Sequence, residues 1–141
     1  MKRFTLMIIT RQTFKKAERL CSRKIITGLF GSGNVIYTSY FRVLWTKTGL
    51  KSHYPVQVAF MVPKKGFRHA ITRNLLKRRM REAYRKNKYI LYDFLNSENI
   101  SIALIVIFRK DKAPDYTVME QAVKEMLERV KAEIQSGGTK C

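Results

Sequence analysis

The segment VQVAFMVPKKGFRHAITRNLLKRRMREAYRKNK, residues 56–88, joins a short apolar run to a long basic run. The apolar run at 56–62 is rich in valine, which is typical of a strand. From about Thr72 to Lys88, apolar residues recur at helical spacing and predict a helix. The later run ISIALIVIF, 100–108, is β-branched and apolar on both faces, which predicts a central strand. Together these elements can form a βαβ unit, whose crossover would be right-handed by the general rule.

Two further elements precede this unit. Ser22 is a suitable N-cap for a short helix with the sequence RKIITGLF, and Gly31 and Gly33 end that helix. The run SYFRVLWTK at 39–47 predicts a half-buried strand. Its inward residues are Phe41, Val43 and Trp45.

The C-terminal part predicts a helix that begins after Pro114. Thr117 and Glu120 have the spacing of a capping box. The inward stripe of this helix comprises Val118, Ala122, Val123, Met126, Val130 and Ile134. The stretch between the basic helix and the strand at 100–108, which contains Asp93 and Glu98, is interpreted as a loop. The order of elements predicts a single α/β sandwich.

Length and composition predict one folded domain. The chain has 141 residues, of which 45% are hydrophobic, so it can bury a core without disulfides or metals. We expect this domain to span 13–135, with 1–12 as a loosely ordered extension and 136–141 as a flexible tail. Cys21 and Cys141 have neither zinc-site nor disulfide-framework spacing, which suits a reducing cytoplasm.

The net charge of +19 predicts an anionic partner, either nucleic acid or a membrane surface. The longest apolar run, 100–108, is about half the length that spans a bilayer, so a membrane is disfavoured. Six of the ten acidic residues follow residue 110, which leaves the surplus charge in the first two thirds of the chain. They are Asp111, Asp115, Glu120, Glu125, Glu128 and Glu133.

A helical wheel of 72–88 separates an apolar stripe from two basic strips. The apolar stripe comprises Leu76, Met80, Ala83 and Tyr84. Arg73, Lys77 and Arg81 lie beside it, and Asn74, Arg78 and Arg85 lie further outward. An ordinary solvated helix face carries acids at i+4, but here only Glu82 is acidic, opposite the first basic strip. Since guanidinium groups bind phosphate bidentately, we interpret the helix as a nucleic-acid-binding element.

RNA is favoured over DNA as the nucleic acid. The sequence contains no helix-turn-helix, zinc-finger or basic-zipper pattern. Compact α/β domains with a basic helix and an aromatic-bearing sheet are more typical of RNA-binding proteins.

The run RNLLKRRMREAYR, preceded by VPKKG, resembles the protein subunit of bacterial ribonuclease P. The matching positions are Arg73, Asn74, Lys77, Arg78, Arg81, Ala83 and Tyr84. The resemblance extends from residue 13 to about 132 and includes Phe30 and Gly33 near the first helix end. Leu75 departs from the Arg-Asn-Arg hallmark, and Ile26 stands where the family usually has an aromatic residue.

The resemblance implies a fold, a function and partners. The fold is an α+β two-layer sandwich like ribosomal protein S5 domain 2, with a mixed four-stranded sheet and a left-handed βαβ crossover, contrary to the general rule. The partners are the catalytic RNA and precursor tRNA, whose 5′ leader is removed, with no obligate protein partner. Mg²⁺ is expected for the holoenzyme, and no cofactor for the protein alone.

Two candidate sites follow from this resemblance. The site for catalytic RNA comprises Lys64, Lys65, Arg73, Asn74, Lys77, Arg78, Arg81 and Arg85. The cleft for the leader, between the first helix and the sheet, comprises Ile26, Phe30 and Tyr40. Phe41 and Trp45 are alternative aromatic residues for the cleft, and at most one of Tyr40 and Phe41 can line it, because neighbours on a strand face opposite sides.

The sequence predicts no catalytic residue and no metal site in the protein. His53 and His69 flank separate loops without a repeated acidic partner, and Asp93 and Glu98 are more simply solvated. We therefore expect the RNA to perform the hydrolysis. The alternatives are a ribosomal or other structural RNA-binding protein and, less favoured, a standalone nuclease.

Overall fold

The computed structural model describes residues 14, 16–48 and 54–136. The predicted extension at 1–12 and all of the predicted tail except Ser136 lie outside these residues. After a short 3-10 helix, Lys16–Glu18, the elements are α1 (Arg23–Ser32), β1 (Asn34–Tyr37), β2 (Phe41–Lys47), β3 (Val56–Met61), α2 (Ala70–Asn87), α3 (Tyr89–Glu98), β4 (Ile102–Phe108) and α4 (Tyr116–Gln135).

The four strands form one mixed sheet in the order β1-β2-β4-β3. The pairs β1–β2 and β2–β4 are antiparallel, and β3 is parallel to β4. Helices α2 and α3 connect the parallel pair, so the predicted βαβ unit and the mixed four-stranded sheet are confirmed. The left hand of the crossover stays a prediction.

The central strand β4 separates two apolar clusters. Ile102, Leu104 and Val106 face the larger cluster, which packs against α2, α3 and α4. Ala103 and Ile105 face a smaller cluster, which packs against α1. Both sets are fully buried, because successive side chains of a strand point to opposite faces. The two main layers are therefore the sheet and the three later helices, and α1 covers part of the opposite face.

Two elements were absent from the sequence interpretation. Strand β1 is only four residues long, although its buried and exposed residues alternate. The segment interpreted as a loop is helix α3, so Asp93 and Glu98 lie on a helix and that interpretation was wrong. Helix α3 follows α2 almost directly, since Lys88 between them keeps right-handed helical geometry. It ends at Asn99, whose positive φ of 57° suits asparagine better than most residues.

The ends of the other helices confirm some predictions and correct others. Ser22 caps α1 by accepting a hydrogen bond from the Ile25 amide, as predicted. Helix α1 runs through Gly31 and ends at Gly33, where a Cβ would lie only 2.7 Å from the Leu29 carbonyl oxygen. Helix α2 begins at Ala70, two residues earlier than predicted.

The start of α4 and its inward stripe differ from the prediction. The N-cap is Asp115, whose carboxylate accepts a hydrogen bond from the Val118 amide at 3.1 Å. The predicted capping box was wrong because Thr117 already lies within the first turn. Val118 is 39% exposed, so its assignment to the inward stripe was also wrong. The buried residues of α4 are Met119, Ala122, Val123, Met126, Leu127, Val130 and Ile134.

Candidate nucleic-acid interface

Helix α2 directs its apolar stripe into the larger core cluster. The four predicted stripe residues, Leu76, Met80, Ala83 and Tyr84, have no exposed surface. Their burial orients the helix and places its basic residues at the surface. The apolar stripe predicted from the sequence is confirmed. The structure also shows which basic residues of α2 already have hydrogen-bond or ion-pair partners within the protein.

Arg73 orders the loop that precedes α2. Its Nη1 atom donates hydrogen bonds to the carbonyl oxygens of Phe67 at 2.7 Å and Arg68 at 2.9 Å. Phe67 is buried, with its ring centroid 5.9 Å from that of Phe108. The loop is therefore held at both its backbone and its apolar side chain. This arrangement presents Lys64 and Lys65, which are exposed in the turn, at the N-terminal end of α2.

Arg85 forms a bidentate pair with Glu82. Its Nη2 and Nε atoms lie 2.5 and 3.2 Å from the two carboxylate oxygens. The hydrogen bond lowers the pKa of the Glu82 carboxyl and raises the pKa of the Arg85 guanidinium. Lys86 Nζ also lies 3.9 Å from Glu82. Much of the positive charge at this end of α2 is therefore balanced within the protein.

Lys77, Arg78 and Arg81 differ from Arg73 and Arg85 in having no intramolecular hydrogen bond or ion pair within the part of the chain that the structure describes. Burial lowers the pKa of the Arg81 guanidinium, and the charges of Arg19 and Arg78 lower it further. Asn74 is exposed on the same helix. The three cations and Asn74 keep their hydrogen-bonding groups available to an anionic ligand.

The predicted leader-cleft residues do not all come together. Ile26 and Phe30 are one helical turn apart on α1; Ile26 packs against the smaller cluster, and Phe30 is 46% exposed. Tyr40 instead packs against the larger cluster, 6.3 Å from the ring of Phe108. The grouping of Tyr40 with Phe30 is therefore corrected. Tyr40 lies in a bend before β2, where strand alternation does not determine its direction.

Phe41 and Trp45, the alternative cleft aromatics, are fully buried. The aromatic residue that the sequence interpretation missed is Tyr37 on β1, which is 53% exposed. Its neighbour Ile36 faces the larger cluster, so Tyr37 lies on the α1 side of the sheet. Tyr37 could have been found from the alternation in NVIY, had so short a run been interpreted as a strand.

Tyr37 lies beside two arginine residues. It pairs across the strands with Arg42, and the guanidinium carbon of Arg109 lies 5.0 Å from its ring centroid. Arg42 Nε is buried and has no hydrogen-bond partner among the described residues. The α1 side of the sheet thus combines exposed aromatic rings with positive charge, which is the combination that single-stranded nucleic acids bind.

The candidate catalytic groups are dispersed. Within residues 14, 16–48 and 54–136, no three His, Cys, Asp or Glu side chains cluster as metal ligands would. His69 is the N-cap residue of α2 without a side-chain capping bond, and His53 lies outside the described residues. In that same part of the chain, no helix combines the length and apolar character needed to cross a membrane.

Comparison with known proteins places this geometry in a family. The model of the Ribonuclease P family matches residues 14–131. The chain belongs to this family. The ribonuclease P protein component of Porphyromonas gingivalis is 35% identical over 128 residues, which cover 89% of this chain and 91% of that protein.

Solved structures of family members share the fold. The RNase P protein of Thermotoga maritima is 27% identical, with a TM-score of 0.64 over 79% of this chain and 96% of that chain. The Staphylococcus aureus RNase P protein has a TM-score of 0.65 at 21% identity, over 82% of this chain and 97% of that chain. The α+β fold with a mixed four-stranded sheet is therefore that of bacterial ribonuclease P proteins.

Proposed function

We propose that this chain is the protein component of a cytoplasmic ribonuclease P ribonucleoprotein. It binds the catalytic RNA and the 5′ leader of precursor tRNA, and it assists the Mg²⁺-dependent endonucleolytic removal of that leader. The observation that carries the proposal is the family match over residues 14–131. Available cations on the family's basic helix support it. No obligate protein partner is proposed.

The catalytic RNA binds to the surface formed by the 64–66 turn and the outward side of α2. Lys77, Arg78 and Arg81 supply charge that no carboxylate in the described chain neutralises. Lys64 and Lys65 extend this charge toward the N-terminal end of the helix. Arg73 contributes through the loop that it orders, and Arg85 contributes less because Glu82 already pairs with it. Contacts of this kind are mainly to phosphate, so affinity depends strongly on salt.

The leader binds on the α1 side of the sheet. Phe30 and Tyr37 offer exposed rings on which bases stack without sequence preference, as a variable leader requires. Arg42 supplies positive charge beside Tyr37. Ile26 is the apolar neighbour of Phe30 on α1, in the place where the family usually has an aromatic residue. Tyr40 has no part in this surface.

The RNA subunit performs the hydrolysis. We assign the Mg²⁺ ions to the RNA, since Asp93 and Glu98 lie exposed on α3 and form no cluster with other carboxylates in the described chain. The metal supplies a Lewis acid and an activated water when it is bound. The protein's own residues bind phosphates, order the loop before α2 and hold the leader beside the sheet. The basic residues also neutralise phosphate charge, which would otherwise make the catalytic RNA and precursor tRNA repel each other.

The decisive experiment mixes the purified protein with precursor tRNA, with and without the catalytic RNA, at a low Mg²⁺ concentration. We expect leader removal only when the protein and the catalytic RNA are both present. Leader removal by the protein alone would indicate a standalone nuclease. If the protein binds RNA but never stimulates leader removal by the catalytic RNA, the proposed function is wrong and a structural RNA-binding role remains.

A further inference from the structure

A cavity opens between the N-terminal segment, strand β3 and helix α2. Its volume is about 350 Å³, and it lies at the outer edge of the sheet, since β3 is an edge strand. The lining includes Phe14, Arg19, Cys21, Phe60 and Arg81. Two guanidinium groups and two aromatic rings therefore border one space. Of these residues, only Arg81 belongs to the basic helix.

The backbone beside Arg19 is held firmly at this edge. Arg19 forms a parallel bridge with Val58, and the Leu20 amide donates a hydrogen bond to the Val58 carbonyl oxygen at 2.9 Å. The preceding residue, Glu18, is fully buried and accepts a hydrogen bond from Lys88. The N-terminal segment is thus fastened on both sides of Arg19. This fastening fixes where the Arg19 side chain leaves the backbone.

The two arginine side chains are close enough to repel each other. The charge of Arg19 lowers the pKa of the Arg81 guanidinium, after the larger effect of burial. Neither side chain pairs with a carboxylate in the described part of the chain. Glu18, which precedes Arg19, is directed to Lys88, and Glu82, which follows Arg81, pairs with Arg85. Arg19 packs over the ring of Phe14, with 5.6 Å between its guanidinium carbon and the ring centroid. The cavity therefore holds uncompensated positive charge beside an aromatic surface.

We propose that this cavity, the Arg19–Arg81 cavity, binds one unpaired nucleotide of RNA, with both guanidinium groups on the same phosphate. The proposal rests on the proposed function, and it adds Arg19 and the aromatic residues of the cavity to the surface of the basic helix. Two planar guanidinium forks can saturate the oxygens of one phosphate, and the bound anion removes their mutual repulsion. The base or ribose of the same nucleotide packs beside Phe14 and Phe60, whose rings are only partly buried.

The size and shape of the cavity favour a single unpaired nucleotide. Ligand pockets usually begin at about 300 Å³, so this one accommodates one nucleotide and not a duplex. A paired base would have to unpair and unstack, at a cost in free energy, before it could enter such a space, whereas single-stranded loops and ends present unstacked bases to proteins. The bound nucleotide can belong to a loop of the catalytic RNA or to the leader of precursor tRNA.

A salt-dependence experiment tests whether the two arginines share one phosphate. We would measure the affinity of the full-length protein for the catalytic RNA, and of the reconstituted holoenzyme for precursor tRNA with long and one-nucleotide leaders. For the RNA that supplies the nucleotide, either the catalytic RNA or precursor tRNA with a long leader, Arg19→Gln and Arg81→Gln should each reduce the slope of log affinity against log salt by about 0.7. Each single change should release the phosphate because both guanidinium forks are needed to hold it in the cavity, so the double variant should reduce the slope no further.

Arg129→Gln on α4, which is exposed and far along the chain from the cavity, is the matched control and should leave the slope unchanged. Additive losses, about 1.4 in the double variant, would show two separate phosphates and overturn the proposal. Unchanged slopes for Arg19→Gln in every arm would also overturn it. If Arg81→Gln lowers the melting temperature, Arg81→Met replaces it, because methionine removes the charge but keeps an unbranched apolar stem at this partly buried position.

Cys21 provides an independent test and identifies the source of the nucleotide. It lines the cavity and is exposed, so a photoreactive aryl azide can be attached to it in a Cys141→Ser background. Crosslinks should form in the assembled complex, either to the catalytic RNA or to the leader. The control carries the probe on Glu128→Cys in a chain that also contains Cys21→Ser. Crosslinking from Cys21 no stronger than from this control would overturn the proposal.

The outcomes separate the cavity from the proposed function. If the wild-type protein stimulates leader removal but Arg19→Gln behaves like Arg129→Gln, only the cavity proposal fails. If the wild-type protein does not stimulate leader removal, the proposed function fails. In that case, slope loss and crosslinking with the catalytic RNA would still support a nucleotide site.

Discussion

Lys88 Nζ lies 2.5 Å from Oε1 of Glu18, a carboxylate without exposed surface, and the pair joins the N-terminal segment to the junction of α2 and α3. The hydroxyl of Tyr92 donates to the same oxygen at 2.6 Å, and the hydroxyl of Tyr84 lies 3.3 Å from that of Tyr92. A buried carboxylate needs such partners because its desolvation is costly. This network positions the residues next to Glu18, including Arg19.

Replacing Glu18 should destabilise the fold strongly. Glu18→Gln leaves the ammonium of Lys88, whose side chain is only 12% exposed, without its carboxylate. We expect the free energy of unfolding to fall by about 3 kcal/mol, the lower end for a broken buried pair. Urea denaturation measures this loss, and the exposed Glu128→Gln on α4 serves as the control. The double variant Glu18→Gln, Lys88→Met should recover part of the loss; an effect of Glu18→Gln equal to that of Glu128→Gln would contradict the prediction.

Alkaline pH should destabilise the protein through the same network. Burial raises the pKa of Tyr84 and of Tyr92 well above the ordinary value of 10.0. Because the folded pKa exceeds the unfolded one, this contribution is complete below pH 10.0 and is lost as pH rises beyond it. The free energy of unfolding should fall by up to about 1.4 kcal/mol per pH unit for each tyrosine.

Urea denaturation between about pH 8 and 11 measures this dependence. Tyr92→Phe should make the alkaline loss shallower. The control, Tyr89→Phe, changes a tyrosine that is 48% exposed on α3 and should leave the slope as in the wild type. Identical slopes for the two variants would refute the role of the buried hydroxyl.

The cations of α2 should contribute unequally to RNA affinity. Lys77→Ala removes a charge that pairs with no carboxylate among the described residues, whereas Arg85→Ala removes one that Glu82 already balances. We expect Lys77→Ala to reduce the salt slope for the catalytic RNA by about 0.7–0.9, and Arg85→Ala to reduce it by less than half as much. Fluorescence titrations at several salt concentrations measure both slopes. Glu125→Ala on α4 should not reduce the slope, and equal effects of Lys77→Ala and Arg85→Ala would disprove this ranking.

The exposed aromatics on the α1 side should contribute to leader binding. Phe30→Ala or Tyr37→Ala should raise the KM for precursor tRNA at least fivefold, since stacking contributes about 1–3 kcal/mol per base. Affinity for mature tRNA should stay unchanged. Because both rings are about half exposed, the melting temperature should change little. Tyr89→Ala, also about half exposed but on α3, is the matched control; a similar KM increase in that variant would argue against a local contact.

Sulfate should stabilise the isolated protein more than chloride does. Lys77, Arg78 and Arg81 repel one another in the absence of an anion, and sulfate can accept several of their hydrogen bonds at once. Ligand binding to the folded state alone raises stability by mass action. We therefore expect millimolar sulfate to raise the melting temperature and helical signal above those in chloride at equal ionic strength. Superimposable melting curves in the two salts would mean that general screening is sufficient.

The sequence by itself determined which elements and faces of this protein are buried. The continuous apolar run of β4 and the helical spacing of Leu76, Met80 and Tyr84 predicted the buried elements correctly, because periodicity records which faces leave water. The same spacing predicted that α2 is basic on its outer side. Local periodicity failed where the pattern was short or ambiguous, as in β1, and where the Asp115 cap shifted the start of α4.

Only the tertiary structure decided which cations remain available. Arg73 and Arg81 belong to the same basic strip on the helical wheel, yet Arg73 binds loop carbonyl groups and Arg81 faces the cavity. Arg19 reaches Arg81 because an edge-strand bridge brings distant segments together. Tyr37 lies on the α1 side of the sheet and Tyr40 packs against the larger cluster for the same reason, since packing partners come from other elements. The spacing of residues in the sequence predicts which face of a helix or strand they share. The contacts of that face are determined by the fold, because its hydrogen bonds and packing join residues that are far apart in the chain.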